Sequence, residues 1–96
     1  MNMNMIMQQA QKMQKEMQKA TEEVMKETFS TKKDLVEVFM TGDKKVTKIV
    51  ISEEISADDK EVLEDMIMIA INETIDKIEK RMEEKLGKFK GIPGLF

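Results

Sequence analysis

MNMIMQQAQKMQKEMQKATEEV, residues 3–24, carries apolar side chains in an unbroken three-four rhythm: Met3, Ile6, Ala10, Met13, Met17, Ala20 and Val24. A spacing of about 3.5 residues lines all seven along one narrow seam of an α-helix. The seam is flanked by Gln, Lys and Glu, and no Gly or Pro interrupts it, so a helix is predicted from Asn4 to Lys26. A stripe this thin suits packing against one or two neighbouring helices rather than deep burial. It points to a chain that completes its fold with a partner, a second copy of itself.

After this helix the rhythm changes. Thr28, Phe29 and Thr31 favour a strand, and Lys32, Lys33 and Asp34 read as a short polar connection. From Leu35 to Thr41 the residues alternate: Val36, Val38 and Met40 point one way, while Leu35, Glu37 and Phe39 point the other. Gly42, Asp43 and Lys44 supply a turn, in which Gly tolerates a positive φ and Asp can bond its own backbone. Lys45 to Ser52 reads as the next strand, with Ile49 and Ile51 expected on the face opposite Val46 and Val50. The links are too short for crossovers, so the three strands form an antiparallel meander.

Ser56 to Asp59 offers N-cap residues for a second long helix, expected from about Asp59 to Leu86. Its centre, Met66 to Ile71, is apolar all round, and such a helix needs cover from more than one small sheet. This is a second pointer to a dimer. Val36, Val38 and Met40 of the strand, with Met66, Ile67, Ile69 and Ile71 of the helix, are the expected contacts between copies. Further along, Ile71, Ile75, Ile78, Met82 and Leu86 share one side, and Gly87 is expected to stop the helix. The predicted fold is α+β, in the order α-β-β-β-α, as one domain over residues 1–96. It comprises a helix at 4–26, a sheet at 28–52, a helix at 58–86 and a tail at 87–96 that is mobile in composition yet ends in apolar residues.

Composition narrows the function. The 96 residues have 16 basic and 19 acidic side chains and no His, a net charge of −3. Residues 57–65 alone hold a net −4, in the opening turns of the second helix, where acid complements the helix dipole. There is no Cys, hence no disulfide framework or thiolate. No Ser-His-Asp set or phosphate-cradling glycine loop is present, so neither catalysis nor a cofactor is expected, and no small-molecule substrate. The Met-rich start lacks the pattern of a signal peptide, and the longest apolar run has six residues, so a cytoplasmic location is expected. The eleven Met residues could form a soft-metal site, but their seam positions suit packing. The pairs Asp58-Asp59 and Glu83-Glu84 could suggest acid–base work, yet both sit at a helix start or on an exposed face.

Several segments together resemble the YbaB/EbfC family of nucleoid-associated proteins: QQAQKMQKEMQKA (8–20), the Lys45 to Ile51 strand, DDKEVLED (58–65), Ala70 to Glu73, and GIPGL (91–95). The resemblance spans nearly the whole chain in order. It implies a bacterial homodimer that binds double-stranded DNA, tweezer-like, with paired sheets as a body and projecting helices, acting in nucleoid organisation and gene regulation. One segment departs from the family pattern. Ser30 to Asp34 has no Gly where the family is often Gly-rich, which predicts a stiffer or differently registered first strand.

Two groups of cations are candidates for DNA contact. On the first helix Lys12, Lys19 and Lys26 recur every seven residues with Lys15 beside them, on one flank of the seam, while Glu16 and Glu23 are expected on the other. On the second helix Lys77, Lys80, Arg81, Lys85 and Lys88 cluster around one face. Their bland reading is a solvated surface braced by Glu73–Lys77, Asp76–Lys80 and Glu84–Lys88 pairs. The other reading is neutralisation of backbone phosphates, with Arg81 adding a groove contact. Aromatic residues do not interleave with these cations, which disfavours stacking on bases. The rival function is a dimeric protein-interaction module without DNA contact, which the net charge favours. A membrane-surface role is weaker, because the first helix lacks a bulky aromatic or Leu face.

Overall fold

The computed structural model describes residues 2–90; the GIPGL segment, with the apolar Ile92 and Leu95, and Phe96 after it lie outside the described residues. The order is helix α1 (Met3–Lys26), strands β1 (Thr28–Lys33), β2 (Val36–Thr41) and β3 (Lys45–Ile51), a 3-10 turn (Ala57–Asp59), helix α2 (Lys60–Leu86) and a second 3-10 turn (Gly87–Phe89). The α-β-β-β-α order read from the sequence is the order observed.

Helix α1 opens on Asn2, whose side chain accepts a 3.0 Å hydrogen bond from the Asn4 N–H. It closes with Lys26 in its last turn, where a cation suits the negative end of the dipole. The strands form one antiparallel sheet in the order β1-β2-β3. β1 runs further than expected and takes in Lys32 and Lys33, because Lys33 pairs with Val36 and leaves only Asp34 and Leu35 as the link. Asp34 takes φ 51°, so the glycine-free segment still makes a two-residue hairpin through an Asp that tolerates the left-handed region.

The second link departs from the sequence reading at two points. The positive φ falls on Lys44 (64°), not on Gly42. Gly42 is needed for a different reason: a Cβ there would stand 1.9 Å from the Val24 carbonyl oxygen and 2.9 Å from the Met25 Cα. Its N–H donates to the Glu27 carbonyl at 3.0 Å, so the turn presses directly on the end of α1. The register then slips between Phe39 and Met40, which pair with Lys48 and Val46, and Thr47 is left without a partner. Paired residues share a face, so the bulge returns Val46 to the side of Ile49 and Ile51 rather than opposite them.

One face of the sheet is covered by α2. Val36, Val38 and Ala70 form the centre of the core, with Ile55, Leu63, Met66, Ile67 and Ile71 packed around it. The alternation in β2 is as read: Val36, Val38 and Met40 are buried while Glu37, Phe39 and Thr41 are half-exposed. A buried polar pair crosses the same interface. The Thr74 hydroxyl donates to the Ala70 carbonyl at 2.7 Å and lies 2.8 Å from the Thr31 hydroxyl, whose own proton completes the pair. β3 is exposed along its whole length, because α2 lies over β1 and β2. At the far end of α2, Gly87 is helical (φ −56°) rather than left-handed, and the chain tightens into a 3-10 turn that buries Phe89.

Candidate nucleic-acid interface

The two helices run antiparallel where they meet. Glu27 faces Arg81, and one turn earlier in α1 Glu23 faces Lys85, one turn later in α2. Only the last part of the α1 seam is covered: Ala20 and Val24 are 5% and 0% exposed, whereas Met3 and Met5 are 73% and 67% exposed. The first half of α1 therefore projects as an arm, and the molecule is 70 Å long and 13 Å thin.

Lys12, Lys15 and Lys19 lie exposed on this arm, and among the described residues none of them closes an ion pair. At 100° per residue Glu16 and Glu23 fall between the lysines and the seam, not across the seam from them as expected. From Met3 to Lys15 the arm has no acidic residue.

The cations expected on one face from Lys77 to Lys88 remain at the surface, but most of them are engaged by partners within the chain. Lys77 donates to the Ser30 carbonyl of β1 at 2.7 Å. Arg81 donates through Nε and one terminal nitrogen to the two Glu27 oxygens, each at 3.3 Å. Lys85 Nζ lies 3.1 Å from Glu23, and Lys88 sits over the Phe89 ring at 5.0 Å. Lys80 is exposed. None of the three expected intrahelical pairs forms among the described residues; Glu73 pairs instead with Lys33 of β1 at 3.2 Å. A cross-element partner held by the fold outcompetes a neighbour on the same exposed helix, where such pairs contribute only tenths of a kcal/mol.

These contacts are electrostatically mutual. The Lys85 ammonium, by hydrogen bond and then by charge, holds the Glu23 carboxyl below its ordinary range, with Lys19 and Lys88 adding to it. The Glu27 carboxylate raises the Arg81 guanidinium in the same way. Glu23 and Glu27 thus complete a site that attention to the cations alone misses. The signal was present: two acids four apart on α1 match Arg81 and Lys85, also four apart, in reversed order.

The residues expected between copies fall into two groups. Val36, Val38 and Met40 are already buried inside the single chain. Met66, Ile67 and Ile71 are half-buried against its own core, and Ile69 is exposed beside Met68 and Val62. Val46, Ile49, Val50 and Ile51 of β3 are exposed as well. Among the described residues no helix is long and apolar enough to cross a membrane, and no group of acidic residues is placed to hold a metal ion.

Comparison with known proteins agrees with this geometry. The model of the YbaB/EbfC DNA-binding family matches residues 1–92. A nucleoid-associated protein of Lactococcus lactis subsp. cremoris (strain MG1363) is 45% identical, over 97% of this chain and 98% of that protein. Others named nucleoid-associated proteins are 42% identical in Ligilactobacillus salivarius, over 99% of this chain and 95% of that protein, and 40% identical in Enterococcus faecalis, over 97% and 93%. With a family model spanning residues 1–92 and relatives 40–45% identical over at least 97% of its length, the chain belongs to the YbaB/EbfC DNA-binding family.

Proposed function

We propose that this protein is a nucleoid-associated DNA-binding protein, without catalytic activity, that grips duplex DNA as a homodimer through backbone phosphates and serves nucleoid organisation and gene regulation in the bacterial cytoplasm. The observation that carries the reading is the projecting half of α1, free of acid from Met3 to Lys15, with Lys12, Lys15 and Lys19 exposed along it. Cations on a thin rod reach phosphates without demanding a base sequence. The net charge of −3 does not oppose this, because the acidic excess is concentrated at the start of α2, away from the arm. A second copy is supported by the uncovered apolar surface of β3 and of Val62, Met68 and Ile69, which a small soluble chain does not leave bare without cause. The family name and the names of the relatives support DNA as the ligand.

The test is fluorescence anisotropy with duplex DNA at two ionic strengths, alongside light scattering. If three lysines on each of two arms neutralise a phosphate apiece, affinity falls roughly 10³-fold between about 50 and 200 mM salt and varies little with sequence. Replacing Lys12, Lys15 and Lys19 with Gln flattens that response. A salt-independent affinity rejects phosphate binding, and a stable monomer at micromolar concentration rejects the homodimer. The second reading, a protein-docking module, is favoured by the exposed Met3, Met5, Ile6 and Met7 on the same arm. A dimer that ignores duplex at low salt selects it.

A further inference from the structure

Where α1 and α2 run side by side, a cleft of about 170 Å³ opens between them, lined by Glu16, Lys19, Ala20, Glu23, Lys85 and Lys88. Three lysines line this opening: Lys19 from α1, Lys85 from α2 and Lys88 from the 3-10 turn that follows it. A carboxylate is already seated among them: Glu23 Oε2 lies 3.1 Å from Lys85 Nζ. We propose that this cleft is a subsite for one backbone phosphate of a duplex, and that the Glu23 carboxylate fills it in the free protein. The inference rests on the duplex reading above and adds Lys85 and Lys88 to the exposed lysines of the arm, of which the cleft shares Lys19.

The chemistry of the occupant supports the assignment. A carboxylate and a phosphodiester are both oxyanions, and both take charge-assisted hydrogen bonds from Lys. Lys85, Lys19 and Lys88 all act on the Glu23 carboxyl to favour its ionised form, so each of the three cations feels an anion at that point. The Lys85 and Glu23 side chains are 32% and 49% exposed, so their pair is accessible to a competitor. Such half-exposed ion pairs are weak, which makes exchange of one oxyanion for another possible. A phosphate entering the cleft displaces Glu23 from Lys85, and the displaced carboxylate then repels it. Glu23 therefore lowers DNA affinity through the cleft that it occupies, while the neighbouring Arg81–Glu27 pair keeps α1 docked.

Glu23→Gln tests this. The neutral amide removes the anion paired with Lys85 and leaves Glu16 as the one carboxylate of the lining, so duplex affinity at about 50 mM salt rises roughly five- to tenfold, and the log–log salt slope steepens by about one for each arm. Adding Lys85→Gln to Glu23→Gln abolishes the gain. Arg81 is the sole arginine of the chain, so its Nε–H resonance reports whether α1 stays docked in the variant, and it stays in place. A second measurement uses the unmodified protein: the Glu23 carboxylate is titrated by ¹³C NMR, and its pKa moves up towards the ordinary value when duplex is bound. Millimolar inorganic phosphate alone leaves it unchanged. Wild type and Glu23→Gln binding alike overturns the subsite while the duplex reading stands. A Glu23 pKa that duplex does not move overturns it too, and one moved equally by inorganic phosphate makes the cleft a free-anion site instead. Failure of both proteins to bind duplex at any salt removes the duplex reading and this subsite together.

Discussion

The two ends of α1 follow the same seam and meet opposite fates. From Met3 to Ala10 the seam is exposed, at Met13 and Met17 it is half-buried, and at Ala20 and Val24 it is buried. Nothing in the local sequence marks the change, since the three-four rhythm runs unbroken through it. The difference comes from what the rest of the chain brings alongside. At the packed end, Gly42 lets the β2–β3 turn approach the Val24 backbone, and Arg81 and Lys85 meet Glu27 and Glu23. At the free end no such partner is supplied within the described residues. A periodic stripe states where a helix can be covered, and tertiary structure decides where it is.

That contrast is breakable at its packed end. Gly42→Ala forces a Cβ into the Val24 carbonyl, and the obstacle is backbone rather than a flexible side chain. The end of α1 must move, and the expected cost is about 3 kcal/mol, at the upper end of overpacking effects. Thermal unfolding at fixed protein concentration measures it; a loss below ~0.5 kcal/mol would mean the turn yields freely. A matched pair sharpens the contrast with a smaller effect. Val24→Ala empties a fully buried site and is expected to cost about 2 kcal/mol in lost burial plus cavity. Ile6→Ala, on the same seam at the exposed end, should change stability by less than ~0.5 kcal/mol. Equal losses at the two positions would show that the arm is covered in solution.

The sequence was readable wherever periodicity and burial agree. The alternation Val36-Glu37-Val38-Phe39-Met40 announced a half-buried strand, and the uninterrupted helix formers of α1 set its limits to within a residue. It was not readable where one element's geometry depends on another. The bulge at Thr47, which turns Val46 over, has no composition signal of its own. Gly42 looked like a turn glycine chosen for φ, but the constraint is the distance to α1, a residue pair 18 positions apart. Spacing puts the cations of α2 on one face, but it does not show that Lys77, Arg81 and Lys85 take partners on β1 and at the end of α1. Charge clusters report composition of a face, and only packing says which of its charges find partners within the chain.

The smallest expected effect probes the charged contact that separates the two ends. Glu23 and Asp43 both have carboxyl groups held below their ordinary range, Glu23 by Lys85 and Asp43 by the Thr41 hydroxyl, which donates to it. A depressed folded-state pKa means stability that is fully present above the unfolded value and is lost as pH falls through the folded one. With no His in the chain, stability should stay flat between about pH 6 and 8 and decline only in the acid carboxylate range. The Glu23 side chain is half-exposed and that of Asp43 a quarter exposed, so solvent screens both and the decline attributable to them should be smaller than the loss from Val24→Ala. Glu23→Gln should remove its share, giving a shallower acid limb with the neutral plateau lowered only slightly. If the acid limb keeps its full slope in Glu23→Gln, the Lys85 contact does not hold in solution, and the division of α1 into a clamped and a free half rests on Gly42 and Val24 alone.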